Sequence, residues 1–353
     1  MTIDAIKPAV RALRAYTLSP HRASVKLNQN ENPWDAPARI KEEVLRRFSA
    51  RRWSRYPDFV PASLHERLAE FAGWKPDGVI AGNGSNELIQ ALLMVTIATG
   101  KRVLISEPTF ALYRQVTTVL GGEVESVSLT SLKFDVEALR RTIEEKQPDV
   151  TIICSPNNPT GCVIDDDNLR SLLRISRGLV VIDEAYHEFA EHSVVPLLSE
   201  HENLIVLRTF SKAMAFAALR TGYLLAAPDL VTEIRKAVLP YNLNAFSQIA
   251  AEVAVENYES ELRPLVKQII SERDRLFEGL KKINGLVPVA SKGNFMVVKS
   301  ATDPKRIFAD LLSRDILVRD VSAYPMLSDY FRVCVGTPEE NDYLLEKIGE
   351  ICG

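Results

Sequence analysis

A lysine closes the run Thr209-Phe210-Ser211-Lys212, and Arg220 follows eight residues later. The run ends an apolar stretch, Asn203-Leu204-Ile205-Val206-Leu207-Arg208-Thr209, where a surface charge is poorly placed. The position suits an amine that forms a Schiff base with an aldehyde. A free lysine has a pKa near ~10.4 and is protonated at neutral pH. Burial and neighbouring cations lower that value and expose the nucleophilic lone pair. Thr209, Ser211 and Arg220 supply hydroxyls and a planar fork of donors for a phosphate. The plain alternative is an exposed loop lysine, and a Ser-Lys pair alone does not exclude it.

Three further motifs decide between these. In Ile152-Ile153-Cys154-Ser155-Pro156-Asn157-Asn158-Pro159-Thr160-Gly161 an apolar strand runs into a Pro/Gly turn. Ligands of open α/β sheets bind beyond the carboxyl ends of strands, so the amide of Asn158 can donate to a phenolate oxygen. Taken alone, this motif reads more readily as a plain turn. In Leu179-Val180-Val181-Ile182-Asp183-Glu184-Ala185-Tyr186 an apolar strand ends in a carboxylate. Such a carboxylate needs a partner, and a pyridinium N–H is one. Tyr186 can donate to a ring hydroxyl. The alternatives are a helix N-cap or an Asp-Glu pair for Mg²⁺ and a nucleotide. The chain has no G-x-x-x-x-G-K-[ST] loop, so the nucleotide reading lacks its other half. In Val79-Ile80-Ala81-Gly82-Asn83-Gly84-Ser85-Asn86-Glu87-Leu88-Ile89 small residues lead into an amphipathic helix. Ser85 or Asn86 can cap it, and the free N–H groups of a helix start hold anions. A capped helix without a ligand is the competing reading. Aldehyde, phosphate, ring nitrogen and ring hydroxyl together describe pyridoxal 5′-phosphate (PLP).

These motifs and their order resemble the fold-type I PLP-dependent aminotransferases. Within that superfamily the chain most resembles the histidinol-phosphate aminotransferase family. The likeness extends to Leu27-Asn28-Gln29-Asn30-Glu31-Asn32-Pro33, Arg55-Tyr56-Pro57-Asp58 and Phe331-Arg332-Val333-Cys334-Val335-Gly336-Thr337. It implies an α/β fold, with a large, mostly parallel-sheet PLP domain and a smaller α+β domain. It implies that Lys212 carries the Schiff base and moves the Cα proton, and that Asp183 pairs with the pyridinium. Asn158 and Tyr186 would hold the ring oxygen. Ser85, Asn86, Thr209, Ser211 and Arg220 would hold the cofactor phosphate, joined by Tyr56 of a neighbouring subunit in a homodimer. Phe110 would stack on the ring. Arg332 and Arg319 would bind the carboxylate of glutamate or 2-oxoglutarate, or the phosphate of histidinol phosphate. Asn30 and His21 would border the substrate. The family often has tyrosine at the place of Phe110, and Tyr113, one turn later, stands to compensate. It often has an aromatic residue where this arm has Pro20-His21. Aromatic amino acid aminotransferases and threonine-phosphate decarboxylases share most of these motifs, so they are the alternative activities.

The remaining sequence agrees with a metabolic enzyme. At 353 residues the chain suggests about two domains. A net charge of −3 gives no reason to expect nucleic acid or membrane partners. The first residues lack a signal-peptide pattern, and no apolar run approaches ~20 residues. The cysteines at 154, 162, 334 and 352 form no C-x-x-C pair, so no metal is expected and a cytoplasmic location is. His187 and His192, with Glu188 and Glu191, read as a solvated helix or loop. The expected divisions are an N-terminal arm (1–40), a large PLP domain (41–270) and a small C-terminal domain (271–353) joined by part of the arm. Strands are expected at 102–106, 151–154, 179–183, 204–208 and 222–226, then near 295–299, 316–319 and 331–335. Helices are expected at 62–72, 304–314 and 338–351, and a long one should be closed by Asn284-Gly285.

Overall fold

The computed structural model describes residues 2–13, 15 and 21–352. Pro20 lies outside them. Near the start, Val25–Lys26 (β1) pairs in parallel with Ile316–Leu317, close to the other end of the chain. The main sheet is built from Val79–Gly82 (β2), Arg102–Glu107 (β3), Glu123–Ser128 (β4), Val150–Cys154 (β5), Leu179–Asp183 (β6), Leu204–Thr209 (β7) and Gly222–Ala226 (β8). Its order is β2-β8-β7-β6-β5-β3-β4. Strands β7, β6, β5, β3 and β4 are parallel, and β8 runs antiparallel to both of its neighbours.

The central strands are buried on both faces, which is why they read as continuous apolar runs. Each fully buried Leu, Ile or Val there contributes about 1.5–3 kcal/mol of transfer free energy. Strand β4 is different. Its sequence, Glu-Val-Glu-Ser-Val-Ser, lies at the sheet edge with mostly half-exposed or exposed residues, and polar edges resist further pairing. That polarity hides it from hydrophobic patterning. The charged exception inside β7 is Arg208. It is held at 2.9 Å from Glu184, and it also donates to Ser193 Oγ at 2.6 Å and to Tyr223 Oη at 3.2 Å.

Helix Ala62–Ala72 buries Leu64 and Leu68 and stops at Gly73, whose φ of +71° suits a C-terminal glycine. Helix Ser85–Thr96 turns Leu88, Ile89, Leu92 and Leu93 into the core. The long helix Arg263–Leu280 ends one turn earlier than its apolar stripe implies, because Ile283 sits in the following turn. It is continuous through residue 270, where the sequence suggested a domain boundary.

Leu286–Pro288 (β9), Phe295–Ser300 (β10), Arg319–Asp320 (β12) and Tyr330–Cys334 (β13) form a second, antiparallel sheet in the order β12-β13-β10-β9, and Ile316–Leu317 is β11. The arm is tied to this second sheet. Cys334 N–H donates to Leu27 O at 3.0 Å, and Asn294 Nδ2 donates to the carbonyls of Asn30 and Glu31. Among the described residues no helix is long and apolar enough to cross a membrane. The His187 cluster is not simply solvated. Glu188 is buried and meets His187 Nδ1 at 3.2 Å, while His192 turns away to Asp166 at 3.1 Å.

Candidate active site

Four parallel-strand ends and one helix start converge on a cavity of about 200 Å³, the size for a small molecule rather than a polymer. Strand β7 delivers Thr209, Ser211 and Lys212; β6 delivers Asp183 and Tyr186; β5 delivers Asn158; β3 delivers Phe110. Ser85 and Asn86 come from the helix after β2, and Arg319, Arg332 and Asn30 close the side toward the second sheet.

Lys212 is half-buried and donates to the backbone carbonyl of Gln29 at 2.9 Å. Burial pushes its ammonium down to about 8, with the Arg332 and Arg220 guanidinium groups adding to the effect and Cys334 and Glu31 opposing it. Asp183 is 3% exposed. It accepts from Tyr113 Oη at 2.6 Å and from Ala185 N–H at 3.0 Å, both neutral donors. Burial pushes its carboxyl above the usual range against those two hydrogen bonds. A cationic ring N–H is the kind of partner such a buried carboxylate lacks.

The anion cradle has its own geometry. Gly84 precedes the helix with φ +81°, and no side chain caps the first turn. Ser85 and Asn86 are therefore the first two helical residues and not its caps, which leaves their N–H groups for a ligand, while the Glu87 N–H meets Gly84 O at 3.2 Å. A Cβ at Gly84 would lie 2.7 Å from the Arg220 guanidinium, and one at Gly222 would lie 2.4 Å from Ser85 N. Only glycine permits this close approach. Arg220, itself at φ +51°, donates to Ser211 Oγ at 3.1 Å, and Thr209 Oγ1 accepts from Ser211 N–H.

Opposite the cradle, Arg332 donates to Asn158 Oδ1 at 2.6 Å and to Asn28 O at 2.7 Å. The amide oxygen of Asn158 is thereby occupied, so its Nδ2 is the end left to donate into the cavity. Asn30 Nδ2 donates to Tyr186 Oη at 2.9 Å, and the Cys334 thiol donates to Asn30 Oδ1 at 3.1 Å. Asn30 borders the cavity, but its amide is committed to Tyr186 and Cys334 rather than to a substrate. With its oxygen lone pair taken by Asn30, Tyr186 has its own O–H free to donate. Burial pushes that phenol well up, so it keeps its proton.

One expected residue is not at this cavity. His21 is exposed, with its ring 5.9 Å from that of Phe308. Phe308 belongs to the helix Pro304–Leu312. Tyr56 is 77% exposed and stacks on Tyr241 with centroids 4.4 Å apart. Sequence reasoning passed over several residues that do line the cavity. Gln29 acts through a backbone carbonyl, which no side-chain pattern reveals. Asn28, Cys154 and Tyr324 also line it. Tyr113 was expected to replace a phenol over the ring, but the structure turns it to Asp183.

A family model described as aminotransferase class I and II matches residues 22–348. Histidinol-phosphate aminotransferase 1 of Carboxydothermus hydrogenoformans is 41% identical over 348 residues, covering 98% of this chain and 98% of that protein. A histidinol-phosphate aminotransferase of Chlorobium phaeobacteroides is 38% identical over 352 residues, covering 99% and 97%. The crystal structure of histidinol-phosphate aminotransferase from Sinorhizobium meliloti in complex with pyridoxal-5′-phosphate shares the fold, with a TM-score of 0.89 at 22% identity, covering 98% and 97% of the two chains. On the match over residues 22–348 and on relatives alike over nearly their full length, the chain belongs to the class I and II aminotransferases.

Proposed function

We propose that the chain is a PLP-dependent transaminase that interconverts L-histidinol phosphate and 2-oxoglutarate with imidazole acetol phosphate and L-glutamate, in histidine biosynthesis. The observation that carries the reading is the set of groups around one small cavity. A depressed lysine stands between a buried carboxylate and an anion cradle, with Arg332 and Arg319 on the far side. These groups fit the cofactor. The cradle of Ser85, Asn86, Ser211 and Arg220 suits its phosphate, Asp183 its ring nitrogen, and Tyr186 and Asn158 its ring oxygen. The names of the full-length relatives support the substrate.

When bound, PLP supplies an aldehyde for amino groups and an electron-withdrawing ring for negative charge at the substrate Cα. Lys212 Nζ would take the proton from the substrate Cα and hand it back two bonds along. Asp183 keeps the ring nitrogen protonated. Tyr186 Oη and Asn158 Nδ2 donate to the ring oxygen. Arg332 and Arg319 hold the carboxylate of glutamate in one half-reaction. Histidinol phosphate has no carboxylate, so its phosphate dianion occupies the same two forks in the other. One site thus serves both substrates in turn, which is ping-pong kinetics.

The lysine sets a pH signature. Only neutral Nζ attacks an aldehyde, and its folded-state value is lowered to about 8. Uptake of PLP by the apoenzyme therefore speeds up as pH rises and levels off above about 8. Stopped-flow absorbance reads this directly, and a rate still climbing at the pH of an ordinary lysine contradicts it.

The active form is a homodimer in this reading, with Tyr56 completing the partner's phosphate cradle. Tyr56, Trp53, Phe59 and Leu239 are large, exposed and apolar or aromatic, as an interface supplies. A fully active monomer by sedimentation removes this part. A biosynthetic transaminase with four free cysteines suits the cytoplasm.

Single-turnover absorbance tests the substrate. Histidinol phosphate and glutamate are expected to discharge the visible band of the PLP form rapidly, and phenylalanine is not. Discharge by phenylalanine with histidinol phosphate inert makes the chain an aromatic aminotransferase. Release of CO₂ from threonine phosphate without 2-oxoglutarate makes it a decarboxylase.

A further inference from the structure

Tyr113 is a tyrosine with no solvent exposure, in the helix Leu112–Leu120, seventy residues before Asp183. Its ring is fixed edge-to-face on Phe110, with centroids 5.6 Å apart and planes at 86°. Its backbone carbonyl accepts from Thr117 Oγ1 at 2.7 Å. The phenol oxygen lies 2.6 Å from Asp183 Oδ2, with the Cys154 thiol also beside it. An ionised carboxylate only accepts, so Tyr113 is the donor. The other oxygen, Oδ1, accepts from Ala185 N–H at 3.0 Å. Each oxygen then has one fixed donor, and the carboxylate plane is set from both sides.

From this geometry, and resting on the PLP reading above, we propose that Tyr113 is a positioning residue of the reaction: its hydroxyl aims the Asp183 carboxylate and favours its ionised form, so that the cofactor's ring nitrogen stays protonated. A buried carboxylate drifts toward its neutral form, and a neutral carboxyl cannot hold a pyridinium. A donated O–H works against that drift because it is stronger to the charged form. Tyr113 keeps its own proton, since burial and the neighbouring carboxylate push its phenol well up. The hydroxyl acts on the reacting atoms only through Asp183.

The test uses holoenzyme reconstituted with PLP carrying ¹⁵N in the ring, and the variants Tyr113→Phe and Asp183→Asn. Phenylalanine keeps the packing against Phe110 and removes only the hydroxyl. The ring ¹⁵N resonance is expected at a pyridinium position in the wild type. In Tyr113→Phe it should move part of the way toward its position in Asp183→Asn. The cofactor dissociation constant should rise several-fold. Turnover should fall about tenfold, the scale of one charge-assisted hydrogen bond, with KM for glutamate little changed. A Tyr113→Phe resonance that coincides with the wild type overturns the proposal and leaves the transaminase reading standing. A wild-type protein that takes up no PLP overturns both.

Discussion

Replacing Lys212 by alanine removes turnover, by at least about 10⁴-fold, the upper range of a positioned general base with covalent capture lost as well. The site holds no substitute for Nζ. Tyr186 keeps its proton, because burial pushes its phenol well up and Asn30 already fills its oxygen. Arg332 is a guanidinium, with donors and no acceptor, and it already donates to Asn158 Oδ1 and Asn28 O. The thiol of Cys334 is pushed up by burial and is bonded to Asn30. Asp183 faces Tyr113 and Ala185, on the ring-nitrogen side. The variant should still retain PLP through the cradle of Ser85, Ser211 and Arg220. A coupled assay for 2-oxoglutarate formed from glutamate checks the loss, and circular dichroism checks the fold. Turnover near the wild-type level would take Lys212 out of the chemistry.

Asp183→Asn should lower kcat by about 10²–10³-fold, the cost of losing one preorganised electrostatic partner. Asparagine has nearly the same shape and can still accept from Ala185 N–H. It carries no charge, so a cationic ring facing it is left buried and unpaired, and the ring gives up its proton. The effect belongs in kcat. Arg332 and Arg319 stand apart from Asp183, so KM for glutamate should stay within a few-fold. Stopped-flow measurement of the glutamate half-reaction separates the two quantities. An unchanged rate with PLP bound would mean that the ring nitrogen needs no anionic partner here.

Much of the site was legible because each group follows an apolar strand. Asp183 ends β6, Asn158 and Lys212 follow β5 and β7, and strand ends are where open α/β sheets place ligands. The residues that escaped did so for physical reasons. Gln29 uses its carbonyl, which is the same in every residue type. The Tyr113–Asp183 contact joins positions seventy apart, and one chain gives no signal for such a pair. Ser85 and Asn86 looked like caps, but a glycine at φ +81° starts that helix without one. Strand β4 carries the polar pattern of an edge. Strand β9, only Leu286–Pro288, is too short to show a period. His21 was assigned from a likeness to the family's arm, and its ring lies against Phe308 instead.

The segment 27–31 has a bearing on how the enzyme comes into being. It meets residues that a ribosome makes 304 positions later. Arg332 donates to Asn28 O and Asn30 N–H donates to Cys334 Sγ, each across 304 positions. A growing chain extends from its N-terminus, so this segment waits for these two partners until those residues are made. Contacts of such sequence separation form late because the loop they close is long. Until β13 emerges, the stretch around the carbonyl that Lys212 meets has only its earlier partners, such as Tyr186 at Asn30 Nδ2. The large sheet can fold early, yet that carbonyl gains its last anchors only once β13 is made.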